Sequence, residues 1–137
     1  MKIFSENKKT LFNYEVKDTI EAGLVLKGFE VKAVREGKAN LKSAFITIRN
    51  NHAIAKNLQI SRYSKASGDS DPGRDKILLI HITEIRKIEE WISQGSQTVV
   101  PIKLYEKEGK VKLEIALVRG KKQFEKRRSI KERDINR

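Results

Sequence analysis

A mainly β domain is the fold the sequence predicts, its antiparallel strands curled into a small barrel with two or three flanking helices and followed by a basic, flexible C-terminal tail. Three observations carry this expectation. Apolar residues alternate over about six short stretches, the period of half-buried strands. The stretches are joined in pairs by short turns, as in hairpins, rather than by crossover helices. A chain of 137 residues supports one core, and a barrel, closed or partly open, is the arrangement of several short strands that leaves the fewest exposed edges.

Met1 to Leu11 is polar, carries the cation pair Lys8 and Lys9 after Asn7, and reads as a loose arm. Phe12, Tyr14 and Val16 alternate as a first strand, and Lys17 to Thr19 reads as the turn into a second, in which Ile20, Ala22, Leu24 and Leu26 alternate. After Gly28 the spacing changes to that of a helix, with Phe29, Val31 and Val34 on one side and Gly37 as its stop. Lys27, Lys32, Arg35 and Lys38 project from this unit. Lys32 and Arg35, three apart, share a helical face and can straddle a phosphate track, although a merely solvated surface helix reads the same way.

Ala44, Ile46 and Ile48 alternate next, Asn50 and Asn51 tolerate positive φ, and Ala53 to Ile60 returns, which makes a β-hairpin. Ser61 to Lys76 is rich in Ser, Gly and Asp and reads as a loop. A short apolar run, Ile77 to Ile80, precedes Ile82, Ile85, Ile88, Trp91 and Ile92, whose spacing predicts an amphipathic helix packed on the core. His81 with Glu84 resembles a capping box, and Gly95 is the stop. The second hairpin runs from Thr98, Val100, Ile102 and Leu104 through a turn at Gly109 to Val111, Leu113, Ile115 and Leu117. Pro101 cannot donate to a ladder, so its strand is expected at an edge or with a bulge there. A barrel of the oligonucleotide-binding type fits this order of elements.

Charge narrows the partners. Thirty basic side chains against 18 acidic leave a formal +12, which calls for a polyanion. No apolar run is long enough to span a membrane, no hydrophobic segment follows the basic N-terminus, and no long basic amphipathic helix is present, so nucleic acid in the cytoplasm is favoured over a membrane surface. The absence of cysteine rules out disulfides, thiolate zinc sites and thiol catalysis. His52 and His81 have no metal-ligand spacing. Asp69, Asp71 and Asp75 read as turn chemistry, because an EF-hand loop beginning at Asp69 would end on Ile80 rather than on a glutamate. Glu89 and Glu90 point to different helix faces, and no phosphate-cradling glycine motif occurs. Neither a catalytic constellation nor a cofactor or metal site assembles, so the chain is expected not to be an enzyme. Trp91 reads as core.

The last 19 residues differ from the rest, with nine basic side chains against three acidic, half of the whole surplus. Phe124, Ile130 and Ile135 form no continuous apolar stripe, so residues 119–137 are expected to be a disordered tail beyond a domain spanning 1–118. A nonspecific basic tail is one reading. Good helix formers and the absence of proline and glycine after Gly120 permit another, a helix that forms once phosphates neutralise it, with Phe124 stacked on a base.

Four blocks occurring in order resemble the SmpB family, the tmRNA-binding (SsrA-binding) proteins of bacterial ribosome rescue: EAGLVLKGFEVKAVREGKANL, DPGRDKILLIHITEI, VVPIKLYEKEGKVKLEIALVRG and GKKQFEKR, within a likeness running from Asn7 to Arg133. The resemblance implies an oligonucleotide-binding barrel that holds the tRNA-like domain of tmRNA and brings it to stalled ribosomes. It also implies a tail that reaches the decoding centre and folds as a helix in the vacant mRNA channel. Carried over to matching positions, RNA binding falls on Asn7, Lys8, Lys9, Glu21, Gly23, Lys32, Arg35, Lys38 and Asn40. Ribosome engagement falls on Gly120, Lys121, Lys122, Phe124, Glu125, Lys126 and Arg127. Three departures stand out: Phe124 where the family has His or another aromatic ring, Glu125 in place of the aspartate of DKR or DRR, and Ala33 in place of the serine of EVKS.

Glu21 is an acid in a basic surface. Either it is an exposed carboxylate that holds Lys32 or Lys9 in place, or it accepts from a base amino group or orients a cation against phosphate. The expectation is a monomeric, cytoplasmic RNA-binding protein without cofactor or membrane partner. The alternatives are a ribosomal or general RNA-binding barrel protein, a single-strand binder and an RNA hydrolase. Too few surface aromatics disfavour the single-strand binder, and the missing catalytic groups disfavour the hydrolase.

Overall fold

The computed structural model describes residues 2–8, 12–61 and 74–120. Nine strands and two helices follow in order: β1 (Lys2–Glu6), β2 (Tyr14–Leu24), α1 (Gly28–Arg35), β3 (Ala39–Asn40), β4 (Phe45–Arg49), β5 (His52–Lys56), β6 (Gln59–Ile60), β7 (Lys76–Leu79), α2 (Ile82–Ser93), β8 (Gln97–Lys107) and β9 (Lys110–Gly120). Seven strands form one antiparallel sheet in the order β1-β8-β9-β2-β7-β5-β4, and β3 pairs with β6 apart from it. Although five places separate them in the sheet, β4 and β8 approach each other, and α2 lies against both. The sheet therefore curls into a barrel whose ladder stays open, with α2 over the gap.

Alternation produces the core. Ile20 and Ala22 of β2, Leu113, Ile115 and Leu117 of β9, Val99 and Leu104 of β8, and Ile88 of α2 enclose one apolar cluster, closed on the α1 side by Ala33 and Val34. Burying such side chains stabilises by about 1.5–3 kcal/mol each, less for alanine. A second cluster, Val100, Ala116 and Val118 with Tyr14 and Val16 against it, lies apart from the first on the same strands.

The turns follow from residues that accept positive φ. Asn50 and Asn51 have φ of 51° and 61°, and Glu108 and Gly109 have 54° and 75°, the double left-handed signature of tight hairpins. Gly37 ends α1 at φ 78°. At α2 the backbone N–H of His81 donates to Glu84 Oε1 at 3.2 Å, as the expected capping box requires.

Four expectations need correction. The arm expected over Met1–Leu11 contains β1, which is ordered by its ladder with β8. Lys17–Thr19 is not a turn: β2 is continuous and takes up the irregularity as a bulge between Val16 and Asp18 against β9. The return strand of the first hairpin stops at Lys56, where Asn57 at φ 56° redirects the chain into β6. Pro101 does sit at a bulge, but its strand β8 is internal to the sheet, and the ladder with β1 ends at Lys103 before reaching it. β9 continues through Arg119 and Gly120, two residues past the charge boundary.

Candidate nucleic-acid interface

The basic unit begins where β2 hands over to α1. Lys27, at the N-cap, donates its backbone N–H to Glu30 Oε1 at 2.8 Å. Ala33 and Val34 are buried beneath the helix, which leaves Lys32 and Arg35 exposed on its outer side. Arg35 Nη2 meets Glu106 Oε1 at 2.7 Å. Past the helix, Lys38 Nζ lies 3.4 Å from Glu36, and Asn40 Oδ1 accepts the backbone N–H of Lys42 at 2.8 Å.

The fold joins the chain start to this unit. Asn7 donates its backbone N–H to the carbonyl of Ile102 at 2.8 Å, which fixes the end of β1 beside β8. Asn7, Lys8, Asn40 and Lys42 then line one shallow concavity of about 340 Å³. Three of the predicted RNA-binding residues, far apart in sequence, share that surface.

Glu21 and Gly23 lie on the outward face of β2, because their neighbours Ile20 and Ala22 fill the core. Glu21 does not hold Lys32, and Lys9 lies outside the described residues. Its carboxylate instead accepts the Tyr105 hydroxyl hydrogen and has Lys107 Nζ at 3.6 Å. The Tyr105 hydrogen bond, aided by Lys107 and Lys112, holds the Glu21 carboxyl below its ordinary range. Burial first, and the same carboxylate second, push the Tyr105 hydroxyl up. The two shifts agree: the bond exists with tyrosine protonated and glutamate ionised, so Glu21 presents a fixed acceptor rather than a general acid.

Sequence reasoning missed Tyr105, Lys107, Lys42 and Lys112, because they enter only through strand register. Glu114 faces Glu21 across the β2–β9 ladder, and Lys112 lies between Gly23 and Tyr105. Asp75 pairs with Lys56 at 2.9 Å and Arg49 at 3.0 Å, a structural use rather than a calcium ligand. Trp91 is half-buried against the core and donates its indole N–H to the Thr98 carbonyl at 2.9 Å. Among the described residues no group of three or more metal-ligating side chains assembles, and no helix is long and apolar enough to cross a membrane. Of the predicted ribosome-binding residues, Gly120 ends β9, and Lys121, Lys122, Phe124, Glu125, Lys126 and Arg127 lie outside the described residues.

Comparison with known proteins gives a consistent family. Residues 4–137 match the family model described as SmpB protein. An SsrA-binding protein of Trichodesmium erythraeum is 46% identical over 138 residues, covering 99% of this chain and 88% of its own. One from Persephonella marina is 46% identical, covering 100% and 91%. A chain in the solved structure "tmRNA-SmpB: a journey to the center of the bacterial ribosome" superimposes with a TM-score of 0.73 at 38% identity, over 87% of this chain and 85% of that one.

Proposed function

The chain belongs to the SmpB family, and from that premise we propose that it binds the tRNA-like domain of tmRNA and brings this RNA to stalled ribosomes for rescue by trans-translation. The observation that carries the reading is the match, at 46% identity across essentially the whole chain, to SsrA-binding proteins. The geometry supports it: Asn7, Lys8 and Asn40 share one concavity, while Lys32, Arg35, Lys38, Glu21 and Gly23 extend a basic, outward-facing surface over α1 and β2.

In this reading the cations meet phosphates, which supply most of the affinity, and shape and exposed loop bases supply the specificity. Glu21, held ionised, accepts from a base amino group or a ribose hydroxyl. The protein positions RNA and does not cut it. Its workplace, the bacterial ribosome, makes it cytoplasmic, and it acts as a monomer. Residues 1–118 form the RNA-binding unit. Residues 119–137, with half of the charge surplus, engage the decoding centre and the mRNA channel through Lys121, Lys122, Phe124, Glu125, Lys126 and Arg127.

The test is a translation extract lacking its own protein of this family, supplied with tmRNA and an mRNA without a stop codon. Adding the full chain restores tagging of the stalled peptide. A chain ending at Lys122 still binds tmRNA within about tenfold, about 1.4 kcal/mol, but restores no tagging. Tagging by the shortened chain would refute the role of the tail, and no tagging by the full chain would refute the function itself.

A further inference from the structure

We propose that a pocket between α1, β2, β7 and the β8–β9 turn receives one unstacked nucleobase of the bound RNA, with the phosphates beside that base on the pocket's cationic rim. The proposal rests on the RNA-binding reading above and adds to it a subsite and its occupant. The pocket holds about 330 Å³. Leu24, Leu26, Val31 and Val111 give it an apolar floor, and Leu79 and Gly23 form one wall. Arg35, Lys110 and Lys112 stand around it. Neither lysine lies within ion-pair distance of a carboxylate among the described residues.

Two features of the wall need a ligand to explain them. Leu79 is 62% exposed, the most exposed large apolar side chain among the described residues, and it stands among cations. A flat partner with apolar faces and anionic edges suits that setting, and a nucleotide has both. Gly23 is opposite Leu79 in the β2–β7 ladder, and a Cβ there would come within 3.2 Å of Leu79 Cβ. Gly23 is absent from the positive-φ residues, so space rather than backbone conformation calls for glycine. A bare backbone leaves the wall flat enough for a planar ring.

Glu21 selects between partners. It lies two residues before Gly23 on the same face of β2, about 7 Å along the strand, and its carboxylate is held ionised. Such an acceptor suits the amino edge of a base and repels an acidic peptide, the other occupant that a cationic rim would attract.

The experiment uses the full chain with Leu79→Ala and Leu79→Lys, and as probe the tRNA-like domain of tmRNA carrying 2-aminopurine at single loop positions. With the parent protein, one labelled position changes fluorescence on binding. Leu79→Ala weakens binding by about fivefold, on the scale of losing one stacked base, and leaves the salt slope unchanged because no phosphate contact is lost. Leu79→Lys weakens it by about tenfold despite the added charge, and silences the labelled position. Both variants melt like the parent, since Leu79 adds little to the core. Equal or tighter binding by Leu79→Lys, or no responsive position, would overturn the subsite while leaving the function standing. Lost tagging with RNA binding intact would hand the pocket to a protein partner and overturn it as well. A parent protein with no preference for this RNA would remove the reading beneath both.

Discussion

Glu21 and Glu30 belong to the same strand-helix unit of a basic chain, and the fold uses them in opposite ways. Glu30 is 3% exposed and fully engaged: one oxygen takes the Lys27 backbone N–H and Arg74 Nη2, and the other takes Arg74 Nε at 3.3 Å. Glu21 has a side chain 42% exposed, with Tyr105 on one oxygen and Lys107 no nearer than 3.6 Å. The comparison teaches that a carboxylate in a nucleic-acid surface is either an anchor or a contact, and that burial together with the count of filled acceptors tells which. Glu30 ties α1, with Lys32 and Arg35, to the segment that leads into β7. In that segment Arg74 grips Glu30, Asp75 pairs with Lys56 and Arg49, and fully buried Lys76 donates to the Leu58 carbonyl at 2.6 Å. Three consecutive charged residues thereby hold three different parts of the barrel.

Breaking the anchor has the larger expected effect. Glu30→Ala leaves Arg74 without its carboxylate and the Lys27 N–H without its cap. Removing one partner of a buried pair costs about 3–5 kcal/mol, and because Arg74 is 29% exposed and regains some water, about 2–3 kcal/mol is expected here. Thermal unfolding monitored by circular dichroism should show a midpoint lower by roughly 10 °C. A midpoint within a degree or two of the parent would erase the distinction between the two glutamates.

Glu21→Gln sharpens the comparison from the other side. The pair is partly exposed and screened, so stability at neutral pH should change by less than about 1 kcal/mol, while affinity for the tRNA-like RNA falls severalfold. The sign of the pH effect follows from the depressed carboxyl. Its contribution is complete above the unfolded-state value of about 4.5 and is lost as pH falls through the lower folded-state value. Asp18, lowered chiefly by Lys87, and Asp75, lowered chiefly by Lys56, add acid sensitivity of the same sign. Denaturant midpoints measured from pH 6 to pH 3 should therefore fall less steeply for Glu21→Gln than for the parent. Parallel curves would show that the Tyr105 contact does not persist in solution.

Local chemistry explains what could be read from the sequence. Both hairpins, α1 and α2 were legible because alternation, helical spacing and residues such as Asn50, Asn51, Gly37 and Gly109 act within a few positions. β1 was not, since Lys2–Glu6 has no clear alternation and is ordered by β8, about a hundred residues away. The two-residue β3–β6 ladder is shorter than any periodicity can reveal. The same division holds at the interface. Lys32, Arg35, Lys38 and Asn40 announced themselves as one short basic stretch, whereas Tyr105 beneath Glu21, Arg74 on Glu30 and the wall made by Leu79 and Gly23 depend on sheet order and on contacts across the loop.

The most direct measurement is a gel-shift titration of the full chain against three RNAs of equal length, the tRNA-like domain of tmRNA, an ordinary tRNA and an unstructured RNA, repeated over a range of salt. Binding to the first that survives salt sufficient to strip the other two is the predicted result, because shape and exposed loop bases add to the phosphate contacts. Equal affinity for all three, vanishing together as salt rises, would contradict the account and leave a basic barrel of the ribosomal or general RNA-binding kind.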